Sequence, residues 1–137
     1  ISEMNIVLAH EAPETYGRVI LKAALFDQSR LTFRGMLDIK ESAKGADSHL
    51  LAKALVLSPN AKAEIYPYLE IKTDEVKASH GSSIGAIDDR ALFYLMSRGV
   101  SPKKAQQILL AEFFRDVATE LPKEYQKKLF QHVGKEL

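Results

Sequence analysis

An alternation of apolar and polar residues between Arg18 and His80 is the feature that most restricts how this chain can fold. Successive side chains of a β-strand point to opposite faces of a sheet, so a period of two predicts strands with one buried face. The clearest alternating set consists of Leu31, Phe33, Gly35, Leu37 and Ile39. We therefore expect this part of the chain to be built mainly from strands.

Further strands are expected where similar runs are separated by turn-forming residues. These candidate strands are Met4–Ala9, Val19–Phe26, Leu50–Leu57, Leu69–Thr73 and Val76–His80. Leu50–Leu57 is apolar on both faces, which predicts a strand inside a two-layer or coiled sheet, because an open sheet would leave one face in water. A sandwich and a β-helix both satisfy this condition.

The period changes to that of helices after Ile87. Asp88 or Asp89 can cap the first helix, and Gly99 is placed for a left-handed cap at its end. Ser101 and Pro102 then form the start of a second helix, as an N-cap followed by proline at the first helical position.

An apolar stripe at helical spacing runs along this second helix and predicts the face that it buries. Its members are Ala105, Ile108, Leu109, Phe113, Val117 and Leu121. Pro122 opens a third helix, in which Tyr125, Leu129 and Val133 are spaced by four. The sequence predicts a mainly β domain at residues 1–86 and a small C-terminal helical domain at 87–137 that docks directly on it.

Composition excludes several classes of function. The net charge of +1 gives no field that would attract nucleic acid or an anionic membrane. The absence of cysteine excludes disulfides, thiolate zinc sites and a cysteine nucleophile. No apolar run is long enough to span a membrane, and we expect a cytoplasmic protein. The start at Ile1 rather than at methionine is expected of a trimmed or processed product.

Several short segments carry a resemblance to a known family. They are Tyr66–Ile71, Asp74–Lys77, Ser79–Gly81, Ile84–Gly85, Asp88–Asp89, Leu92–Leu95 and Ser97–Gly99. Their order and spacing resemble the Leu-Glu-Ile, Asp-Asp-Val, His-Gly-Ala-Thr and Leu-Phe-Tyr-Leu-x-Ser-Arg-Gly segments of the SufB/SufD family, the scaffold subunits of SUF iron–sulfur cluster assembly. Weaker agreement extends upstream, so that the resemblance covers almost the whole chain.

The resemblance implies the end of a right-handed parallel β-helix followed by a helical domain, which agrees with the strand-then-helix order. It also implies that the β-helix pairs with a second scaffold subunit, either a copy or a different subunit, and that the helical domain binds the ABC-type ATPase subunit. ATP hydrolysis by that partner moves the paired scaffolds in such systems. The chain itself is then not an enzyme.

Some positions depart from the family pattern. SufB-type subunits have a cysteine shortly before the Tyr-Pro segment and a glutamate after the histidine, where this chain has Ala61 and Gly81. SufD proteins commonly have a cysteine two residues before the histidine, where Ala78 stands here. The chain therefore resembles the SufD branch and has no thiolate for direct cluster binding.

His80 is the candidate metal ligand, with Glu70 as its candidate carboxylate partner at the subunit interface. A neutral imidazole binds borderline metals and titrates near neutral pH, whereas a lone histidine is more often only hydrogen-bonded. The resemblance favours transient contact with iron or an iron–sulfur cluster rather than a stably bound cofactor.

The candidate ATPase-binding residues are Phe93, Tyr94, Arg98 and Gly99. Aromatic residues and arginine are favoured in the centres of interfaces, but the same residues also suit a helix core and its cap.

The resemblance and the residue types leave three functions open. The first is a SufD-like scaffold, the second is a structural interaction module that has lost the assembly role, and the third is a metal-dependent hydrolase using His80 with Asp88 or Asp89. The hydrolase has the weakest support, because the sequence has no nucleophile elbow and no HExxH helix.

Overall fold

Six strands followed by three helices lie along residues 1–135, which are the residues that the computed structural model describes. They form two units, Ile1–Gly85 with the strands and a second unit from Ala86 onward with the helices. Residues 136 and 137, which the predicted helical domain includes, lie outside the described residues.

The strands belong to two parallel sheets. They are β1 Ser2–His10, β2 Tyr16–Leu25, β3 Arg30–Ile39, β4 Ala46–Val56, β5 Lys62–Ile71 and β6 Val76–Gly85. One sheet has the order β1-β3-β5 and the other β2-β4-β6, so that consecutive strands alternate between the sheets. This is the connectivity of a parallel β-helix, in which each coil of the chain adds one strand to each sheet.

The residue pairs across the sheets show how the coils stack. Leu31 on β3 lies beside Ser2 on β1 and Ala63 on β5, and the register continues without a shift to the end of the strands. Between the coils of the other sheet, Leu50 on β4 lies between Val19 and His80. Equivalent positions of successive coils therefore form columns that face the same way.

The interior contains the alternating residues that the sequence singled out. Phe33, Leu37 and Ile39 are fully buried, and Leu50 of β4 packs against the first two. Gly35 is needed among them, because a Cβ at this position would lie 2.6 Å from Leu50 Cδ1. The prediction of a strand with one buried face is confirmed for β3.

The fifth strand differs from the sequence prediction. The expected strand was Leu69–Thr73, whereas β5 spans Lys62–Ile71 and includes Pro67. Proline removes a backbone donor and is tolerated where that donor is not used by a neighbouring strand. β5 pairs only with β3 among the described residues and is an edge strand, which explains why Pro67 is accommodated.

The helical unit contains α1 Asp89–Ser97, α2 Pro102–Glu120 and α3 Lys123–Lys135. Asp88 caps α1 by accepting a hydrogen bond from the Arg90 amide at 2.9 Å, and Ser101 caps α2. Gly99 has a φ of +85°, as expected for a left-handed cap. The predicted helix starts and the glycine stop are thus confirmed. No helix within residues 1–135 is long and apolar enough to cross a membrane.

The buried face of α2 is only partly the predicted one. Ala105 is buried as expected, but Ile108 is 40% exposed, whereas Leu110 and Ala118 are buried. The buried face of α2 is therefore rotated about the helix axis relative to the predicted stripe. Of the three residues that α2 buries most fully, Ala105 belongs to the predicted stripe, whereas Leu110 and Ala118 do not.

Candidate functional site

The last coil of the strand unit ends the stack of coils and leaves interior-facing residues without a covering coil. These residues are Ala63, Ile65, Pro67, Leu69 and Ile71 on β5 and Val76, Ala78, His80, Ser82 and Ile84 on β6. We call this set the terminal face. Each member lies in register with an interior residue of β3 or β4, which fixes the direction of its side chain.

The exposure of side chains along these columns shows that the terminal face is incompletely covered. Leu37 is fully buried, whereas its partner Leu69 on the last coil is 37% exposed. In the other sheet, Ala54 is 2% exposed and its partner Ile84 is 49% exposed. Apolar side chains that belong to the interior by position thus remain in contact with solvent.

The hydrogen bonds between the strands show which residues of β5 and β6 direct their backbone N–H and C=O groups to the free edge. In a parallel sheet, the N–H and C=O of one residue both point to the same neighbouring strand, and those of the next residue point to the opposite side. The amides of Lys62 and Lys72 donate to β3-side carbonyls at 3.0 and 2.9 Å, so even-numbered residues of β5 face β3. The odd-numbered residues, including Pro67, then face the free edge.

The same reasoning applies to β6. Asp47 and Leu57 donate to carbonyls on the β2 side at 2.9 and 2.8 Å, so even-numbered residues of β4 face β6 and bond its odd-numbered residues. The even-numbered residues of β6, which include His80 and carry no proline, therefore direct their N–H and C=O groups to the free edge. The β6 edge has an unbroken row of donors and acceptors, whereas Pro67 interrupts the row on β5.

His80 lies in the middle of this face. Its side chain is exposed and in register with Leu50, which is 2% exposed. Glu70 lies on β5, in the other sheet, and is in register with Asp38, whose neighbours Leu37 and Ile39 are buried. Glu70 thus points away from the interior and His80 towards it.

The structure does not bring the predicted pair together. No hydrogen bond or ion pair joins Glu70 to His80 in the described part of the chain, and Glu70 is instead 2.8 Å from Lys72 Nζ. The hydrogen bond and the charge of Glu70 raise the pKa of Lys72, and the charge of Asp38 adds to the effect. The role of Glu70 as a partner of His80 stays a prediction.

The donor atoms of one chain are too few for a complete metal site. Residues 1–135 contain no group of three His, Asp or Glu side chains that could hold a metal ion, and the chain has no cysteine. Structural zinc sites, for comparison, use four ligands and catalytic sites use three. His80 could therefore supply at most one ligand to a site completed by another molecule.

A histidine that sequence reasoning missed lies on the outer side of the same sheet. His49 Nδ1 is 2.6 Å from Ser79 Oγ, and its Nε2 is 2.7 Å from Asp47 Oδ1. The residue types are those of a catalytic triad, but Asp47 Oδ1 accepts no aligned hydrogen bond, and a base in such a triad needs an oriented partner. We interpret this cluster as a bridge between β4 and β6. His49 and Ser79 are 30 residues apart, and this spacing of one coil is the signal that could have found it.

The predicted ATPase-binding residues lie on or just after α1. Phe93 and Tyr94 are 73% and 58% exposed, and α1 has no buried residue. The Arg98 guanidinium lies 5.4 Å from the centre of the Tyr94 ring, a cation–π contact. Gly99 follows directly in its left-handed conformation. We call Phe93, Tyr94, Arg98 and Gly99 the α1 surface.

Comparison with known proteins gives a consistent set of similarities. The family model described as the SUF system FeS cluster assembly SufBD core domain matches residues 1–113. An iron–sulfur cluster assembly SufBD family protein of Mycobacterium bovis is 30% identical over 122 residues, which are 89% of this chain and 14% of that protein. A protein with the same description from Mycobacterium tuberculosis shows the same identity and coverage.

A third similar protein is the iron–sulfur cluster assembly SufBD family protein of Staphylococcus saprophyticus. It is 29% identical over 125 residues, which are 91% of this chain and 27% of that protein. The chain thus spans between 14% and 27% of the length of these relatives.

Proposed function

Since the chain belongs to the SufBD core domain family of the SUF system, we propose that it is a non-catalytic, SufD-like scaffold subunit in iron–sulfur cluster assembly. In this proposal it acts in the cytoplasm, pairs through the terminal face with a second scaffold subunit, and binds an ABC-type ATPase subunit through its helical unit. The observation that carries the proposal is the exposed terminal face with the unbroken β6 edge beside it.

Pairing at this face is favoured by two independent features. The exposed parts of Leu69, Ile71 and Ile84 are apolar surface that a second subunit would remove from water. The free N–H and C=O groups of β6 form a template on which another strand can add to the sheet. A second copy of the chain and a different SufB/SufD-type subunit are both suitable partners.

In this proposal His80 gives the paired face its chemical role. It lies on the terminal face in register with a buried leucine, so pairing would place its imidazole between the two subunits. Iron or a forming cluster is then cargo at the interface, contacted by His80 and by ligands of the second subunit. This division of ligands agrees with the lack of cysteine and with the small number of donors in one chain.

The α1 surface supports the ATPase part of the proposal. Exposed aromatic rings next to an arginine are the residue types that dominate binding energy at protein interfaces. Tyr94 and Arg98 are already held together by their cation–π contact, which reduces the side-chain entropy that binding would remove.

Sedimentation of the full chain tests the pairing, with Ile84→Ser as the variant. Burying a whole isoleucine contributes about 1.5–3 kcal/mol, and the 49% exposure of Ile84 leaves about half of this, or about 1 kcal/mol per chain. In a symmetric pair the change counts twice, so we expect a dissociation constant about 25-fold higher. Val7→Ser is the matched control, because Val7 is 64% exposed on the outer side of β1.

The outcomes of this experiment separate the alternatives. A chain that remains monomeric at micromolar concentrations, both alone and with a SufB-type subunit, would contradict pairing. Equal weakening by the Val7 and Ile84 variants would show that association is not specific to the terminal face.

Capture of a SUF ATPase subunit by the full chain tests the second contact. Phe93→Ala is expected to weaken capture by at least about tenfold, as for a central aromatic residue of an interface. Tyr125→Ala on α3 is the control, because Tyr125 is also an exposed aromatic residue, at 50%. Failure of the unchanged chain to capture the ATPase would remove this part of the proposal.

Iron uptake by the copurified complex tests His80. The variant His80→Ala is expected to reduce uptake, whereas His49→Ala, which removes an imidazole from the outer side of the neighbouring strand, is expected to leave it unchanged. Equal uptake by His80→Ala and the unchanged complex would favour a structural module without an assembly role.

A further inference from the structure

A concave site lies at the turns that connect the two parallel sheets of the strand unit. A recess of about 320 Å³ is lined by Gln28, Arg30 and Asn60. Gln28 belongs to the turn between β2 and β3, and Asn60 to the turn between β4 and β5. The recess therefore forms where the turns of two successive coils stack.

Backbone contacts hold the two turns in place. The Asp27 amide donates to Ser58 Oγ at 2.8 Å, and the Lys62 amide donates to the Ser29 carbonyl at 3.0 Å. Each turn also closes on itself, since the Ser29 amide bonds the Phe26 carbonyl at 2.9 Å. The side chains that line the recess thus project from a fixed scaffold, and a ligand would not need to order these turns.

The lining is made of hydrogen-bond donors without internal partners. Within residues 1–135, the side chains of Gln28, Arg30 and Asn60 make no hydrogen bond or ion pair with one another or with other residues. The neighbouring cation Lys62 is occupied by Glu64, at 2.7 Å. Among the described residues, those that line the recess are Gln28, Arg30 and Asn60, so the charged group beside it is the guanidinium of Arg30.

We propose that this recess binds a small oxyanion, such as phosphate or a carboxylate. Arginine presents its N–H groups as a planar fork that matches carboxylate and phosphate oxygens, and each carboxamide adds two N–H donors. Successive coils are about 4.8 Å apart, so donors on two coils can reach different oxygens of one anion. The inference does not depend on the proposed role in cluster assembly.

The test is a titration of the ¹⁵N-labelled full chain, followed by amide chemical shifts, with sodium phosphate, sodium acetate and sodium chloride at equal ionic strength. Exposed charge pairs are weak, so we expect saturation with a dissociation constant on the order of 1 mM. The shifts should be confined to the turns at residues 27–30 and 58–61. The salt whose titration reaches saturation shows whether phosphate or carboxylate is preferred.

Variants of the arginine complete the experiment. Arg30→Gln is expected to weaken binding at least about tenfold, and Arg30→Lys should retain part of it as a point charge. Arg34→Gln is the matched control, because Arg34 lies on the same strand and contacts the Tyr66 ring. No saturation with either oxyanion, an equal response to chloride, or an unchanged response in Arg30→Gln would overturn the proposal.

Discussion

Replacing Ser48 with alanine should destabilise the strand unit, because it would break a hydrogen-bonded chain in the interior. His10 is 3% exposed and Ser48 is fully buried. His10 Nε2 lies 2.9 Å from Ser48 Oγ and His10 Nδ1 lies 2.7 Å from Thr15 Oγ1. The Thr15 hydroxyl donates to the Ala12 carbonyl at 3.0 Å, so it accepts from Nδ1–H and leaves Nε2 as the acceptor of the Ser48 proton.

The size of the effect follows from this arrangement. Ser48→Ala leaves Nε2 without a donor, and shifting the ring proton to Nε2 would leave that N–H without an acceptor. Each alternative leaves one buried polar group unsatisfied, which costs about 1–3 kcal/mol. For a domain of about 60–100 residues, each 1 kcal/mol lowers the melting temperature by about 4–8 °C.

Thermal unfolding followed by circular dichroism measures this loss, and the chain provides a matched control. Ser79 makes the same kind of bond, to His49 Nδ1 at 2.6 Å, but that pair is exposed and water can replace the lost hydroxyl. Ser79→Ala should therefore change the stability by less than about 0.5 kcal/mol. Equal shifts in the two variants would refute the argument that burial decides the cost.

Two further predictions concern local contacts. Lys62 donates to Glu64 and lowers the pKa of that carboxyl, so the stability that this contact contributes is present above the unfolded-state pKa and is lost as the pH falls through the folded-state pKa. Lys62→Gln should therefore raise the Glu64 pKa in a carboxyl NMR titration. An unchanged Glu64 pKa would contradict this assignment. Gly35→Ala should cost about 1–3 kcal/mol in urea unfolding because its Cβ would lie 2.6 Å from Leu50 Cδ1. Gly85→Ala, with no atom within 4 Å of the new Cβ, should cost less than about 0.5 kcal/mol, and equal losses would refute the steric account.

The sequence predicts the local elements of this fold because their causes are local. Alternation along β3 follows from one buried face, and the left-handed Gly99 and the Ser101 cap follow from backbone chemistry within a few residues. The buried side of α2 could not be predicted in the same way. It depends on which helices pack against it, and Ala118 is buried by position rather than by hydrophobicity.

The candidate site shows a similar limit. Motif spacing singled out His80 and Glu70 together, yet the nine residues between them carry the chain from one sheet to the other and reverse the side to which the side chain points. Conversely, His49 and Ser79 are distant in sequence but adjacent in register. Reasoning from a sequence finds such pairs only when the length of a coil is known.

Pro67 explains both a wrong prediction and a property of the terminal face. Proline argues against a central strand, and the predicted strand Leu69–Thr73 begins only after Pro67. The backbone of residue 67 faces the free edge, so the lack of an N–H in Pro67 removes no hydrogen bond between β5 and β3. It does leave a gap in the row of donors that β5 could offer to a further strand. β6 has no such interruption. If a second subunit adds a strand to the last coil, the hydrogen-bonding argument favours β6, the strand that carries His80.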